Sequence, residues 1–134
     1  MATRSTIALE YPDGKVSQIY CHWDGYLEHV GRILAESYNT VEKIHELMSL
    51  GDLSALGNSL GNKQNFNKPE EDTCVAYGRD RDEIETEART FKDFENYALR
   101  GQKEEYNYAF LDGSWFVKYG DKEFTDLGTL LKKN

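Results

Sequence analysis

The chain has 134 residues, 39% of them apolar and 13% aromatic, which is enough for one folded domain with a real core. Sixteen basic residues against twenty-four acidic ones leave a net charge of -8, which opposes non-specific binding to nucleic acid or to an anionic membrane. The two cysteines, Cys21 and Cys74, form no CxxC pair, the first residues lack the apolar core of a signal peptide, and no run reaches the roughly 20 apolar residues of a membrane span. The expectation is a soluble protein of the reducing cytoplasm.

Residues 4–22 read as an antiparallel hairpin: "STIALEY" alternates, "PDG" turns, and "KVSQIYCHW" returns. From Asp24 the period becomes helical, with Tyr26, Val30, Ile33 and Leu34 on one face and Asp24 as the expected N-cap. Thr40 is the expected cap of a second helix, whose stripe is Val41, Ile44, Leu47 and Met48. "GDLSALGNSLG" reads as at most one helical turn and then loop, residues 62–72 as loop, and "TCVAY" at 73–77 as a short buried strand. Residues 78–89 read as a charged, mobile surface loop. Residues 70–95 hold ten acidic and four basic residues, -6 of the total -8. "TFKDFENYALRG" reads as a helix capped by Thr90 and stopped by Gly101. Two alternating aromatic strands flank the "DG" of residues 112–113, a primed-turn signature, and "DLGTLLKK" reads as a last short helix with Lys132 and Lys133 at its negative end.

These elements predict an α+β domain spanning residues 1–134. Its antiparallel sheet has about five strands, built from the N-terminal and C-terminal hairpins, with helices packed mainly on one face. The run of aromatics implies that the other face is partly covered too, by a second copy or a ligand.

"YCHWDGYLEHVG", residues 20–31, concentrates the reactive side chains. Cys21 and His22 are strand neighbours, so they point to opposite faces and make no nucleophile–base pair; a core thiol is the commoner fate of a free cysteine. His22 and His29 lack helical ligand spacing, and no zinc ladder or catalytic signature occurs, so neither a metal nor a cofactor is expected. As a binding platform the stretch offers more. His22, Trp23 and Tyr26 would stand at a helix start, whose N–H groups hold phosphate, with the indole and phenol as faces for a base. Packing of the strand–helix corner is the plainer role for Trp23 and Tyr26.

"YGRDRDE", residues 77–83, places Tyr77 beside Arg79 and Arg81, a spacing that suits a phosphate clamp, although its acidic neighbours also fit a self-neutralising charged surface. Arg4 with Thr6 adds a third cation and a hydroxyl. In the C-terminal hairpin Tyr106 and Tyr108 share a face, as do Trp115 and Val117; one face should be core and the other free to stack a base or build a dimer seam. The expected ligand-binding set is therefore Arg4, Thr6, His22, Trp23, Tyr26, Tyr77, Arg79, Arg81, Tyr108 and Trp115.

Three segments together, "TRSTIA" at 3–8, "YCHWDGYLEHVGRIL" at 20–34 with "SLGDLSALG" at 49–57, and "VAYGRDR" at 75–81, resemble a widespread family of small, mostly uncharacterised proteins of bacteriophages and prophages. The resemblance implies a counter-defence factor in the cytoplasm of an infected bacterium. One class of such factors sequesters cyclic oligonucleotides or cyclic ADP-ribose variants, the messengers of bacterial immunity, without cleaving them. No binding residue of that class maps onto this chain by motif. The leading expectation is thus a non-enzymatic sponge for a small nucleotide, acting as a homo-oligomer. The second is an acidic, protein-binding inhibitor or DNA mimic that uses residues 70–95, and the third is a nucleotide-signal hydrolase.

Overall fold

The structure, a computed structural model, describes residues 2–132. Strands β1 (Ser5–Glu10) and β2 (Val16–Cys21) form the first hairpin, pairing Ser5 with Cys21 and Glu10 with Val16. Strands β6 (Tyr106–Leu111) and β7 (Ser114–Tyr119) form the second, and Asp112 and Gly113 take φ of 49° and 82° at its turn, as a primed turn requires. Between them come β3 (Leu53–Ala55), β4 (Val75–Ala76) and β5 (Arg89–Phe91), and β8 (Thr125–Asp126) follows. Among the described residues the sheet is thus eight-stranded, in the order β4-β3-β2-β1-β6-β7-β8, with β5 also paired to β2.

Two features correct the expected sheet of about five antiparallel strands. The hairpins dock through β1 and β6, which run parallel with Thr6 opposite Asn107, and β2 meets β3 in parallel at Cys21 and Leu53. Parallel pairing needs a long crossover, and the middle of the chain supplies it. The expected strand at 73–77 forms as β4, and the extra strands β3, β5 and β8 have two or three residues each, too short to show a period in the sequence.

One face of the sheet carries a π-helical turn (Leu27–Gly31) continued by α1 (Arg32–Ser37), then α2 (Val41–Met48) and α5 (Leu127–Lys132). Val30, Leu34, Ile44, Leu47 and Leu127 pack there on Ile7, Leu9, Ile19, Tyr108, Phe110, Trp115 and Val117. Each of the fully buried aliphatic side chains contributes roughly 1.5–3 kcal/mol. Lys132 lies in the last turn of α5, whereas Lys133 falls outside the described residues. The opposite face holds Ala8, Val16 and Ala109, covered by Tyr97 and Phe94 of α4 (Phe94–Arg100) together with Phe91 and Phe124. Part of the second face is therefore closed by the chain itself. Among the described residues no helix is long and apolar enough to cross a membrane.

Several caps differ from expectation. Thr40 caps α2 by accepting the Lys43 N–H, as its position predicts. Asp24 does not cap: it sits at φ 56°, and Tyr26, in extended backbone, precedes the helix. That left-handed step turns the Gly25 N–H onto Thr3 O at 2.8 Å and so ties the corner to the chain before β1. Thr90 lies in β5, and Asp93 caps α4 through the Asn96 N–H. The segment 78–89 begins in α3 (Tyr77–Arg81) and ends at the first residue of β5.

Candidate functional site

Of the two arginines of the expected clamp, Arg79 is fully occupied by the protein. All five N–H donors of Arg79 are taken: Nε by Asp80 Oδ1 at 2.9 Å, Nη1 by Leu60 O and Gly61 O, and Nη2 by Cys74 O and Asp80 Oδ2. Arg81 donates to Glu83 and lies 4.5 Å and 4.9 Å from the ring centres of Phe66 and Tyr77. Tyr77 is thus committed to this cation–π group and to Phe66, 5.6 Å away.

Three more of the expected residues are interior. Tyr108 is fully buried and donates its hydroxyl to Gly25 O at 2.7 Å, and Trp115 donates Nε1 to Tyr38 O at 2.7 Å. Thr6 is buried and donates to Asn107 Oδ1 at 2.9 Å. The hairpin face that carries Tyr108 and Trp115 is the core face, the floor of the helix layer. Its rings pack on one another, Tyr106 on Tyr108 at 6.4 Å and on Tyr119 at 5.2 Å.

Arg4 has a different fate. It lines an open cavity of about 320 Å³ together with Tyr20, Asp52, Arg89, Gln102 and Glu104. They come from the residue just before β1, the end of β2, the approach to β3, the start of β5 and the connection from α4 to β6. The size lies at the low end of small-ligand pockets, which run from roughly 300 Å³.

Asp52 organises one wall. Its carboxylate takes Arg89 in a fork, Nη1 to Oδ1 at 2.8 Å and Nη2 to Oδ2 at 3.1 Å, and Oδ1 also accepts the Tyr20 N–H. Its backbone N–H donates to Thr86 O, and its carbonyl accepts from Tyr77 N–H. Asp52 therefore joins β2 to the segments on either side of it and holds Arg89 still. The fork uses two of the five guanidinium N–H groups, so three remain for a ligand.

A polar network anchored on the buried Gln18 and Asn107 fixes Gln102 and Glu104 at the cavity. Gln18 and Gln102 exchange two bonds, Gln18 Nε2 to Gln102 O at 2.8 Å and Gln102 N to Gln18 Oε1 at 2.9 Å. Asn107 accepts the Glu104 N–H and donates to Glu104 O, both at 2.9 Å, while Thr6 holds Asn107 from below. Thr6 thus reaches the cavity through Asn107 and not by itself.

Tyr20 links the cavity to an exposed aromatic shelf. Its hydroxyl meets His22 Nδ1 at 2.7 Å, and the His22 ring stands edge-on to Trp23 at 4.8 Å. Burial raises the Tyr20 phenol above its ordinary pKa, and the Arg4 guanidinium beside it pulls the other way. Trp23 is 45% exposed, and Tyr26, also exposed, leans on His29 at 6.2 Å. Cys21 is fully buried and its thiol is pushed up to about 12, chiefly by burial. It is a core thiol.

The structure therefore joins Arg4, Tyr20, His22 and Trp23 and leaves Arg79, Arg81 and Tyr77 in a separate group. Sequence reasoning missed Tyr20, Asp52, Arg89, Gln102 and Glu104. A usable signal existed in Gln18, a polar residue in the strand "KVSQIYC" at a position the alternation buries. No protein-family model matches the chain, and no curated protein and no solved structure matches it either.

Proposed function

We propose that the protein binds a phosphate-bearing nucleotide unit in the Arg4–Arg89 cavity and holds it without cleaving it, as a phage counter-defence sponge for a nucleotide immune signal would. The observation that carries this reading is the pairing of two guanidinium groups on one small cavity, with Arg89 held in place by Asp52. Arginine forks suit phosphate oxygens, and an anchored fork loses less freedom on binding. The exposed Trp23, joined to the cavity through His22 and Tyr20, adds a π-face for a base. The cavity volume suits one nucleotide unit. A cyclic dinucleotide is larger, so its second half would sit against a second copy of the chain.

The acidic-inhibitor reading has less support. Several carboxylates of the 70–95 segment are paired inside the molecule, Asp80 with Arg79, Asp82 with Lys63 and Glu83 with Arg81, so they do not stand as a regular row of free charges.

Calorimetry with cyclic dinucleotides, cyclic trinucleotides and cyclic ADP-ribose forms tests the proposal. Binding is expected for at least one, with the ligand recovered intact after heat denaturation. Arg4→Ala and Arg89→Ala should each weaken it about tenfold or more, the worth of a charge-assisted bond. No binding by any of the panel defeats the reading, and a cleaved ligand moves the protein to the hydrolases.

A further inference from the structure

The cavity that holds Arg89 also carries a group that phosphate recognition does not need. Glu104 is tied at its backbone by Asn107, and its Oε2 accepts Gln102 Nε2 at 2.7 Å. No described residue donates to Oε1, although the carboxylate lines the same cavity as two arginines. An ionised carboxylate only accepts hydrogen bonds, so it repels a phosphate placed against it and attracts a hydroxyl or an amine.

We infer that Glu104 is the specificity-determining residue of this cavity, selecting ligands whose organic part places a hydrogen-bond donor, a ribose hydroxyl or an exocyclic amine, beside the phosphate. The inference rests on the reading of the cavity as a phosphate site. The cavity then takes a ligand with two faces: acceptor oxygens toward Arg4 and Arg89, and donors toward Glu104 Oε1. Inorganic phosphate offers only the first face. A site that spends a fixed carboxylate in this way rejects a bare anion, which matters in a cell where free phosphate is abundant.

Glu104→Gln tests it. The substitution keeps the shape, keeps an oxygen for Gln102 Nε2 and leaves the backbone bonds to Asn107 untouched, so the thermal midpoint should stay where it is. Calorimetry with adenosine 5′-monophosphate and with inorganic phosphate should show the two affinities moving in opposite directions. The nucleotide should weaken about tenfold, the worth of one charge-assisted hydrogen bond, and inorganic phosphate should tighten as the repelling charge goes. The native protein gives a variant-independent check: 2′,3′-dideoxyadenosine 5′-monophosphate or purine riboside 5′-monophosphate should bind more weakly than the parent nucleotide. Equal shifts for both probes in Glu104→Gln, or no shift in either, overturn the role of Glu104 while leaving the arginine site standing. Failure of the native protein to bind adenosine 5′-monophosphate as well as inorganic phosphate overturns the phosphate site itself, and is seen before any variant is compared.

Discussion

Arg79 and Asp80, neighbours in the chain, form a bidentate ion pair with each other, Nε to Oδ1 at 2.9 Å and Nη2 to Oδ2 at 3.1 Å. The Asp80 side chain is fully buried and also accepts the N–H groups of Ala76 and Gln64. Through these bonds and the carbonyls held by Arg79, the pair fastens β4 and α3 to the loop that begins near Leu60.

Removing one partner of such a pair leaves a buried charge without compensation. Asp80→Ala should therefore cost about 3 kcal/mol or more in urea unfolding, while phosphate or nucleotide binding in the separate Arg4–Arg89 cavity changes little in the fraction still folded. A loss of binding equal to that of Arg89→Ala would place Asp80 in the site after all.

Acid should act through the same carboxyl. Burial alone would raise the Asp80 pKa, but Arg79 and the N–H groups of Ala76 and Gln64 outweigh it and hold the carboxyl below its ordinary value. A carboxyl depressed in the folded state stabilises the fold above the unfolded pKa, about 3.9, and loses that contribution as pH falls through the folded value. The stability gap between native protein and Asp80→Asn should thus be full at neutral pH and shrink below about pH 4. A gap that is constant down to acid unfolding would contradict this.

The two tryptophans should behave as opposites. Trp115 is 6% exposed and bonded to Tyr38 O, so Trp115→Ala should cost about 3–5 kcal/mol of stability. Trp23→Ala should lose under about 1 kcal/mol and weaken ligand binding. Acrylamide quenching reads the difference directly, since Trp23→Phe should abolish most of the quenchable emission and Trp115→Phe little of it.

Both thiols should be silent in the folded protein. Cys21 and Cys74 are buried and free, and burial raises both above the ordinary thiol value. Reaction with a disulfide dye at about pH 8 should be slow and limited by unfolding, and fast for both in denaturant. A rapid single equivalent under native conditions would expose one of them.

Gly25 should tolerate no side chain. A Cβ there would lie 2.7 Å from Ser5 Cβ and 2.9 Å from Thr3 O, while the Gly25 carbonyl accepts from Tyr108. Gly25→Ala is expected to cost about 1–3 kcal/mol by overpacking, read by thermal or urea unfolding. An unchanged midpoint would mean that the corner is looser than its contacts indicate.

Much of the fold is legible in the sequence because the relevant signals are local. The "PDG" and "DG" turns, the alternation around them, the Thr40 cap and the stripe through "VEKIHELM" are each set by neighbours a few residues apart, and each forms as its pattern predicts. Strands of two or three residues, such as β3 and β5, are too short to carry an alternation of their own. Asp24 and Thr90 have the side chains of helix caps, yet neither caps a helix. Tertiary bonds, Gly25 to Thr3 and β5 to β2, hold those two segments in extended or left-handed backbone instead.

By itself the sequence determined two hairpins, the helical stripes, a negative net charge and a set of aromatic and basic residues. Only the tertiary structure decided which of them meet. The parallel docking of β1 on β6 buried Tyr108 and Trp115 and set Thr6 beneath Asn107. The pairing of β5 with β2 carried Arg89 to Asp52, in the cavity that Arg4 also lines, while Arg79 and Arg81 took partners of their own. Residue spacing along a chain records local geometry, whereas a cavity walled by residues 4, 20, 52, 89, 102 and 104 depends on long-range pairing.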